Sequence, residues 1–196
     1  MGSCGSCCRT CSCPQQKDTA IGRRQILNAK GIDRYLQDYH HEARQNVKVT
    51  TEYVEKPSGQ IAHCKLFEPI NPSDAKGMIC FAMGFADHMD GFPHDIGCIY
   101  ADLGFVVFMV EYKGHGRSDG DFAVILDFER DMVDETIWMF RRAIEHHIKP
   151  HPIYSKSIDQ KNNYFLSGSS MGGAVSLLIA LKLQKNMFNP FKGIRY

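Results

Sequence analysis

No stretch of this 196-residue chain approaches the roughly 20 consecutive apolar residues of a membrane-spanning helix. No long run of lysine or arginine occurs either, and 23 basic residues against 22 acidic ones leave a net charge of +1. That balance argues against nucleic acid as the main partner. The start of the chain lacks the apolar core of a secretory signal. A disulfide-framed secreted domain spreads its cysteines through the fold, whereas here only Cys64, Cys80 and Cys98 lie in the body of the chain. Exposure to the cytosol is the expectation. Residues 171–196 contain no aspartate, glutamate or histidine. What is present is ordinary for a soluble domain with one core: 43% hydrophobic and 23% charged residues.

The other cysteines, Cys4, Cys7, Cys8, Cys11 and Cys13, crowd the N-terminus. The chain opens Met1-Gly2-Ser3-Cys4-Gly5-Ser6, which fits the myristoylation signal M-G-x-x-x-[ST] with Gly2 as acceptor. One myristoyl chain holds a protein on a membrane only marginally, and palmitate on Cys4, Cys7 and Cys8 would supply the second anchor. Arg9, Lys17, Arg23 and Arg24 add a weak attraction to anionic lipid. Two other readings stand beside acylation. Cys4-x-x-Cys7 and Cys8-x-x-Cys11 have metal-ligand spacing, although the adjacent Cys7-Cys8 and the lack of histidine in the cluster count against a zinc site. The third reading is an inert tail. The expectation adopted is a Cys-rich, acylated segment and linker over residues 1–30, on the cytoplasmic face of a membrane, with no metal and no cofactor.

Ile32, Tyr35, Leu36 and Tyr39 recur at helical spacing and predict a helix around 31–45. Val47 to Val54 is β-rich, Pro57-Ser58-Gly59 turns the chain, and Gln60 to Phe67 returns, which reads as an antiparallel hairpin. From Met78 the pattern alternates. Met78 to Ala82 is an apolar strand, residues 92–103 look helical, and Phe105 to Val110 is a second apolar strand. Residues 126–147 form a long helix with Phe128, Met132, Val133, Ile137, Phe140 and Ile144 on one face. His151 to Asn163 reads as a polar loop, Tyr164-Phe165-Leu166 as a third strand, residues 173–183 as an apolar helix, and Phe191 to Tyr196 as the start of another strand. Continuous apolar strands separated by helices imply a mostly parallel sheet flanked by helices, an α/β fold preceded by the hairpin.

Three motifs carry chemistry. Gly168-Ser169-Ser170-Met171-Gly172 fits G-x-S-x-G between a strand and a helix, the setting of a nucleophile elbow with Ser170 as nucleophile. Gly168 and Gly172 suit a close strand–helix crossing, and Gly173 and Ala174 keep the next turn slim. The helix N-terminus places backbone N–H groups where an oxyanion would form. Met83 to His88 follows the first parallel strand, and its Phe85 N–H would pair with that of Met171 as oxyanion donors. Gly114-His115-Gly116-Arg117-Ser118-Asp119-Gly120 follows the second strand. His115 precedes the serine, so this loop reads as a structural Gly-rich turn whose His and Asp bond locally. His88, His94, His146, His147 and His151 read as structural too, and Asp127, Asp131 and Asp134 as the solvent side of the long helix.

These motifs, in this order, resemble the monoacylglycerol lipase-like α/β-hydrolases, also grouped as serine aminopeptidase-like hydrolases. The family pattern is H-G-x-x-E-H, then G-H-G-x-S-x-G, then G-H-S-M-G-G, and the resemblance covers about residues 45–196. Met83 and Ser169 stand where the family has histidines, while Asp87-His88 resembles its Glu-His pair. The resemblance implies a serine hydrolase of acyl esters such as monoacylglycerols or lysolipids. It also implies an acid, a base and a lid downstream of the serine, so 31–196 reads as the N-terminal half of the domain and the chain as nearly inactive alone. A partner chain would then cover the exposed sheet edge. The alternative is a non-catalytic, lipid-anchored binding or scaffold protein derived from a hydrolase. A metal-binding protein using the N-terminal cysteines would leave the body unexplained.

Overall fold

The computed structural model describes residues 47–120 and 129–185. The expected acylated segment and linker over 1–30, the expected helix over 31–45, the first residues of the expected helix over 126–147 and the expected strand over 191–196 lie outside the described residues.

The hairpin is present. β1 (Val47–Glu55) and β2 (Ile61–Pro69) pair antiparallel, from Val47 opposite Pro69 to Glu55 opposite Ile61. Gly59 closes the turn at φ +78° and donates its N–H to the Lys56 carbonyl at 2.8 Å, a left-handed conformation that glycine adopts without strain. Among the described strands β1 lies at an edge of the sheet and is half-exposed, whereas β2 is buried along nearly its whole length.

The alternating part follows as β3 (Gly77–Ala82), α1 (Phe92–Asp102) and β4 (Phe105–Val110). A helical stretch comes next, with π-helical turns Glu129–Asp134 and Ile144–Ile148 flanking α2 (Glu135–Ala143). The chain ends its described part with β5 (Tyr164–Gly168) and α4 (Met171–Lys185). Between them, the segment expected to be a polar loop is helical. α3 (Pro152–Tyr154) runs into a π-helical turn at Ser155–Asp159. Two local causes are visible. His151 Nδ1 accepts the Tyr154 N–H at 3.3 Å, with Pro152 at the head of the helix. Tyr154 and Ile158, one turn apart, are both buried.

The strand order is β1-β2-β4-β3-β5. Over the described strands the sheet is mixed, since β2 pairs antiparallel with β1 and β4, and β3 pairs parallel with β4 and β5. Helices cover both faces. Phe67 sits opposite Val107, and its ring meets α1 at Gly97 and His94. The next residue, Phe108, points the other way and packs edge-on against Phe140 of α2, ring centroids 6.2 Å apart. Phe108, Phe140, Met132 and Ile148 are all buried, and full burial of a phenylalanine contributes about 1.5–3 kcal/mol.

The topology fixes where a site can form. The chain moves from β3 to β4 on one side, then returns to place β5 on the other side of β3. Such a reversal leaves a crevice at the carboxyl ends of the strands. The loops after β3, β4 and β5 are the three motif loops.

Candidate active site

The elbow is built by close packing of main chain. Ala82 at the end of β3 is in register with Gly168 at the end of β5, and the Ser169 N–H donates to the Ala82 carbonyl at 3.2 Å. α4 then starts directly against β3. A Cβ on Gly172 would overlap the Ala82 carbonyl, and one on Gly168 would overlap the main chain of Gly172. Only glycine fits at either place. Gly173 differs from the expectation: a Cβ there would lie 3.7 Å from the Gly168 carbonyl, an ordinary contact. The turn puts Ser170 at φ +52°, a left-handed conformation that costs a non-glycine residue on the order of 1 kcal/mol or more, and leaves the residue exposed. The N–H groups of Gly172 and Gly173 close the turn on the carbonyls of Ser169 and Ser170 at 2.8 and 2.9 Å. The N–H of Met171 makes neither bond and stands at the head of α4.

The loop after β3 lies alongside. A Cβ on Gly84 would be 3.5 Å from the Ser169 carbonyl, so the two loops touch there. Asp87 folds this loop on itself, its carboxylate accepting the Gly84 N–H at 3.0 Å and its N–H reaching the Gly84 carbonyl at 3.3 Å. It is the Asp87 carboxylate, 2.6 Å from a Cβ at Gly84, that crowds this glycine most. Ala86 takes a left-handed φ of +62°. Met83 is fully buried, and Phe85 is 52% exposed beside the elbow. Ser170, Met171, Phe85, Gly168 and Gly172 are thus gathered at one end of the sheet. Gly2, Cys4, Cys7 and Cys8 lie outside the described residues.

The loop after β4 is held by long-range bonds. His115 does bond locally, with Nδ1 3.0 Å from the Lys113 carbonyl. Asp119 bonds both locally and at long range. Its carbonyl accepts the Gly114 N–H at 3.0 Å, while its carboxylate accepts the Ile61 N–H at 2.9 Å and its own N–H donates to the Ile61 carbonyl at 2.8 Å, fastening the loop to β2. Ser118 Oγ adds a link, donating to the Glu111 carbonyl at 2.7 Å and accepting the His63 N–H at 2.9 Å. His115 is 2% exposed, and burial pushes its pKa below the ordinary imidazole value, against the upward pull of the Lys113 carbonyl. It is a neutral, enclosed ring.

Sequence reasoning missed Glu111 and His63. Glu111, directly after β4 and 2% exposed, accepts three N–H groups. Met89 donates at 2.8 Å, Arg117 at 2.6 Å and His63 Nδ1 at 2.8 Å. The carboxylate fills the space where Gly116 lacks a Cβ. The one available signal was a lone carboxylate between an all-apolar strand and a Gly-rich loop. Nearby, Asp90 bridges Lys65 at 2.7 Å and Arg117 at 2.6 Å. Burial raises its pKa, but Lys65 and then Arg117 outweigh that and hold the carboxyl below its ordinary value. The other described histidines have structural partners: His94 with Lys65, His146 with Arg142 and His147 with Glu52, while His88 Nδ1 accepts the Asp90 N–H and His151 Nδ1 the Tyr154 N–H, each at 3.3 Å. Asp134 pairs with Lys182 at 2.7 Å. Among the described residues no cluster of three His, Cys, Asp or Glu could hold a metal, and no helix is long and apolar enough to cross a membrane.

Residues 73–190 match a family of hydrolases described as Serine aminopeptidase, S33. The monoglyceride lipase of Mus musculus is 28% identical over 126 residues, which is 62% of this chain and 35% of that protein. The caffeoylshikimate esterase of Arabidopsis thaliana is 30% identical over 135 residues, 69% of this chain and 37% of that protein. The chain therefore spans little more than a third of the length of these relatives. Among solved structures, esterase Est22 superposes with a TM-score of 0.59 at 18% identity, over 83% of this chain and 48% of that one. The five-stranded arrangement is thus that of about half of an esterase of the α/β-hydrolase type.

Proposed function

The chain belongs to the serine aminopeptidase, S33, family of α/β-hydrolases, and on that premise we propose that Ser170 is the nucleophile of a serine hydrolase acting on acyl esters. The observation that carries the reading is the elbow itself: an exposed serine held at φ +52° over a glycine-only strand–helix crossing. Ser170 Oγ forms a bond to the ester carbonyl carbon as the carbonyl electrons move to oxygen. The N–H groups of Phe85 and Met171 receive that oxyanion at the head of α4. Collapse breaks the bond to the leaving alcohol and leaves an acyl-enzyme, which water cleaves. The family relatives named monoglyceride lipase and caffeoylshikimate esterase support an acyl ester as substrate, and a monoacylglycerol or lysolipid is the class proposed.

The proton of Ser170 needs an acceptor. Residues 171–196 hold no Asp, Glu or His, and His115 is enclosed against Lys113. The 196-residue polypeptide by itself is therefore expected to acylate slowly, with solvent taking the proton, and to turn over hardly at all. An oxyanion hole and binding alone leave roughly 10³- to 10⁴-fold over water when triad members are absent. Purified polypeptide should release a single equivalent of p-nitrophenolate from p-nitrophenyl acetate, with none from Ser170→Ala. Rapid multiple turnover lost in Ser170→Ala would overturn the inactivity, and equal release by both proteins would overturn the nucleophile.

The same proposal places the protein on the cytoplasmic face of a membrane through myristate on Gly2 and palmitate on Cys4, Cys7 and Cys8. Metabolic labelling with alkynyl fatty acids, compared with Gly2→Ala, tests it. A second reading, a lipid-anchored binding protein, is favoured by one observation. Leu177, Leu178 and Leu181 of α4 are 57%, 41% and 51% exposed beside β5, which has one hydrogen-bonded neighbour among the described strands. A partner chain over that edge would show as a stable complex larger than 22.2 kDa in sedimentation.

A further inference from the structure

We propose that the loop over 111–120 is a strut for the oxyanion hole, in which Glu111, through its carboxylate, and His115, through its ring, are positioning residues that hold the Phe85 N–H in place. The proposal rests on the reading of Ser170 and Phe85 given above.

Phe85 is 52% exposed, so burial alone fixes it poorly. Two devices hold it from behind. Its ring meets that of His115 edge-on, centroids 5.9 Å apart and planes at 80°. The His115 ring meets that of Tyr112 in the same way, at 5.6 Å and 80°. His115 and Tyr112 are 2% and 3% exposed, so the stack rests on an immobile base. The second device is Glu111. One carboxylate oxygen takes the Met89 N–H and so closes the far end of the loop that carries Phe85. The other takes the Arg117 N–H and His63 Nδ1, joining that loop to residues 114–117 and to β2. His63 is itself fully buried, and its Nε2 has no hydrogen-bond partner, so the ring has no competing bond to draw it from Glu111. The near end of the loop is already fixed by β3 and by the Gly84–Asp87 bonds. The donor is thereby held at its start, at its ring and at its end.

This assigns the Gly-His-Gly motif a role that does not involve proton transfer. His115 Nδ1 is committed to the Lys113 carbonyl, and the ring acts by its shape. Oxyanion donors must be placed to within a few tenths of an ångström, and a misplacement of about 1 Å costs on the order of 100-fold in rate.

The test is single-turnover acylation of the 196-residue polypeptide by p-nitrophenyl acetate. The first-order rate at saturation, the half-saturating concentration and the labelled fraction are recorded separately. Glu111→Gln turns an amide N–H₂ toward one of the three N–H donors and should lower the rate about 10-fold or more, with half-saturation and labelled fraction unchanged. His115→Ala should do the same, while His115→Phe, which keeps a ring edge, should stay within about twofold of wild type. His146→Ala, at the opposite end of the sheet, serves as the unaffected control. Equal losses in His115→Phe and His115→Ala would make the imidazole a chemical participant and overturn the strut. So would a Glu111→Gln effect confined to the labelled fraction, or none. If wild type fails to acylate at Ser170, the nucleophile reading fails, and amide exchange then judges the strut separately. Glu111→Gln and His115→Ala should speed exchange over residues 84–89 about 10-fold or more with β3 and β4 unchanged. Unchanged exchange over 84–89 would overturn it.

Discussion

Gly172 and Gly173 are neighbours in the first turn of α4, yet alanine should have opposite effects at the two. At Gly173 the added methyl makes an ordinary contact, 3.7 Å from the Gly168 carbonyl. Replacing glycine by alanine in a helix then stabilises by up to about 1 kcal/mol, partly by restricting the unfolded chain. At Gly172 the same gain is available, but the methyl would overlap the Ala82 carbonyl and come within 2.5 Å of the Met83 carbonyl. Those atoms end β3, which is hydrogen-bonded on both sides, so they cannot move aside as a flexible side chain could. Overpacking of this kind costs about 3 kcal/mol, leaving a net loss of about 2 kcal/mol. For a chain of this size each kcal/mol shifts Tm by about 2–4 °C. Gly172→Ala should therefore melt about 4–8 °C below wild type, and Gly173→Ala at or up to about 4 °C above it, by calorimetry or circular dichroism. Shifts of the same sign and size in the two variants would refute the crossing geometry on which the elbow depends.

Three other outcomes are expected. Ser170→Gly relieves the left-handed strain at φ +52° and should raise stability by about 1 kcal/mol in denaturant titration while abolishing acylation. Asp90 has a depressed pKa in the fold, so its contribution is present above the ordinary carboxyl value of 3.8 and is lost as pH falls through the depressed one. Asp90→Asn should accordingly melt lower than wild type at pH 7, by a small margin because the carboxylate is 42% exposed, and the difference should vanish in acid. Burial pushes the thiols of Cys64 and Cys80 well above the ordinary cysteine value, so iodoacetamide at pH 8 should leave both unmodified in the native protein and alkylate both after unfolding, as read by peptide mass spectrometry.

The strands were legible because each is an apolar run bounded by turn residues, from Met78 to Ala82 and from Phe105 to Val110. The elbow was legible because its demand for Gly168 and Gly172 is local. Glu111 was not, since its meaning lies in His63 and Met89, which are 48 and 22 residues away. Asp119 likewise bonds to Ile61, 58 residues off, and nothing within its own loop points there. The helical turns over 152–159 were hidden by polar Ser155, Lys156, Ser157 and Asp159, which outnumber the buried Tyr154 and Ile158 that hold them to the sheet. Gly173 looked equivalent to Gly172 because sequence does not tell which side of the helix faces β3.

The central claim is that Ser170 is the nucleophile. Its most direct test is the mass of the 196-residue polypeptide after incubation with p-nitrophenyl acetate, followed by peptide mapping. The account predicts one added acetyl group, on Ser170, absent from Ser170→Ala and persistent because deacylation lacks a base. Acetylation elsewhere with Ser170 unmodified would contradict it.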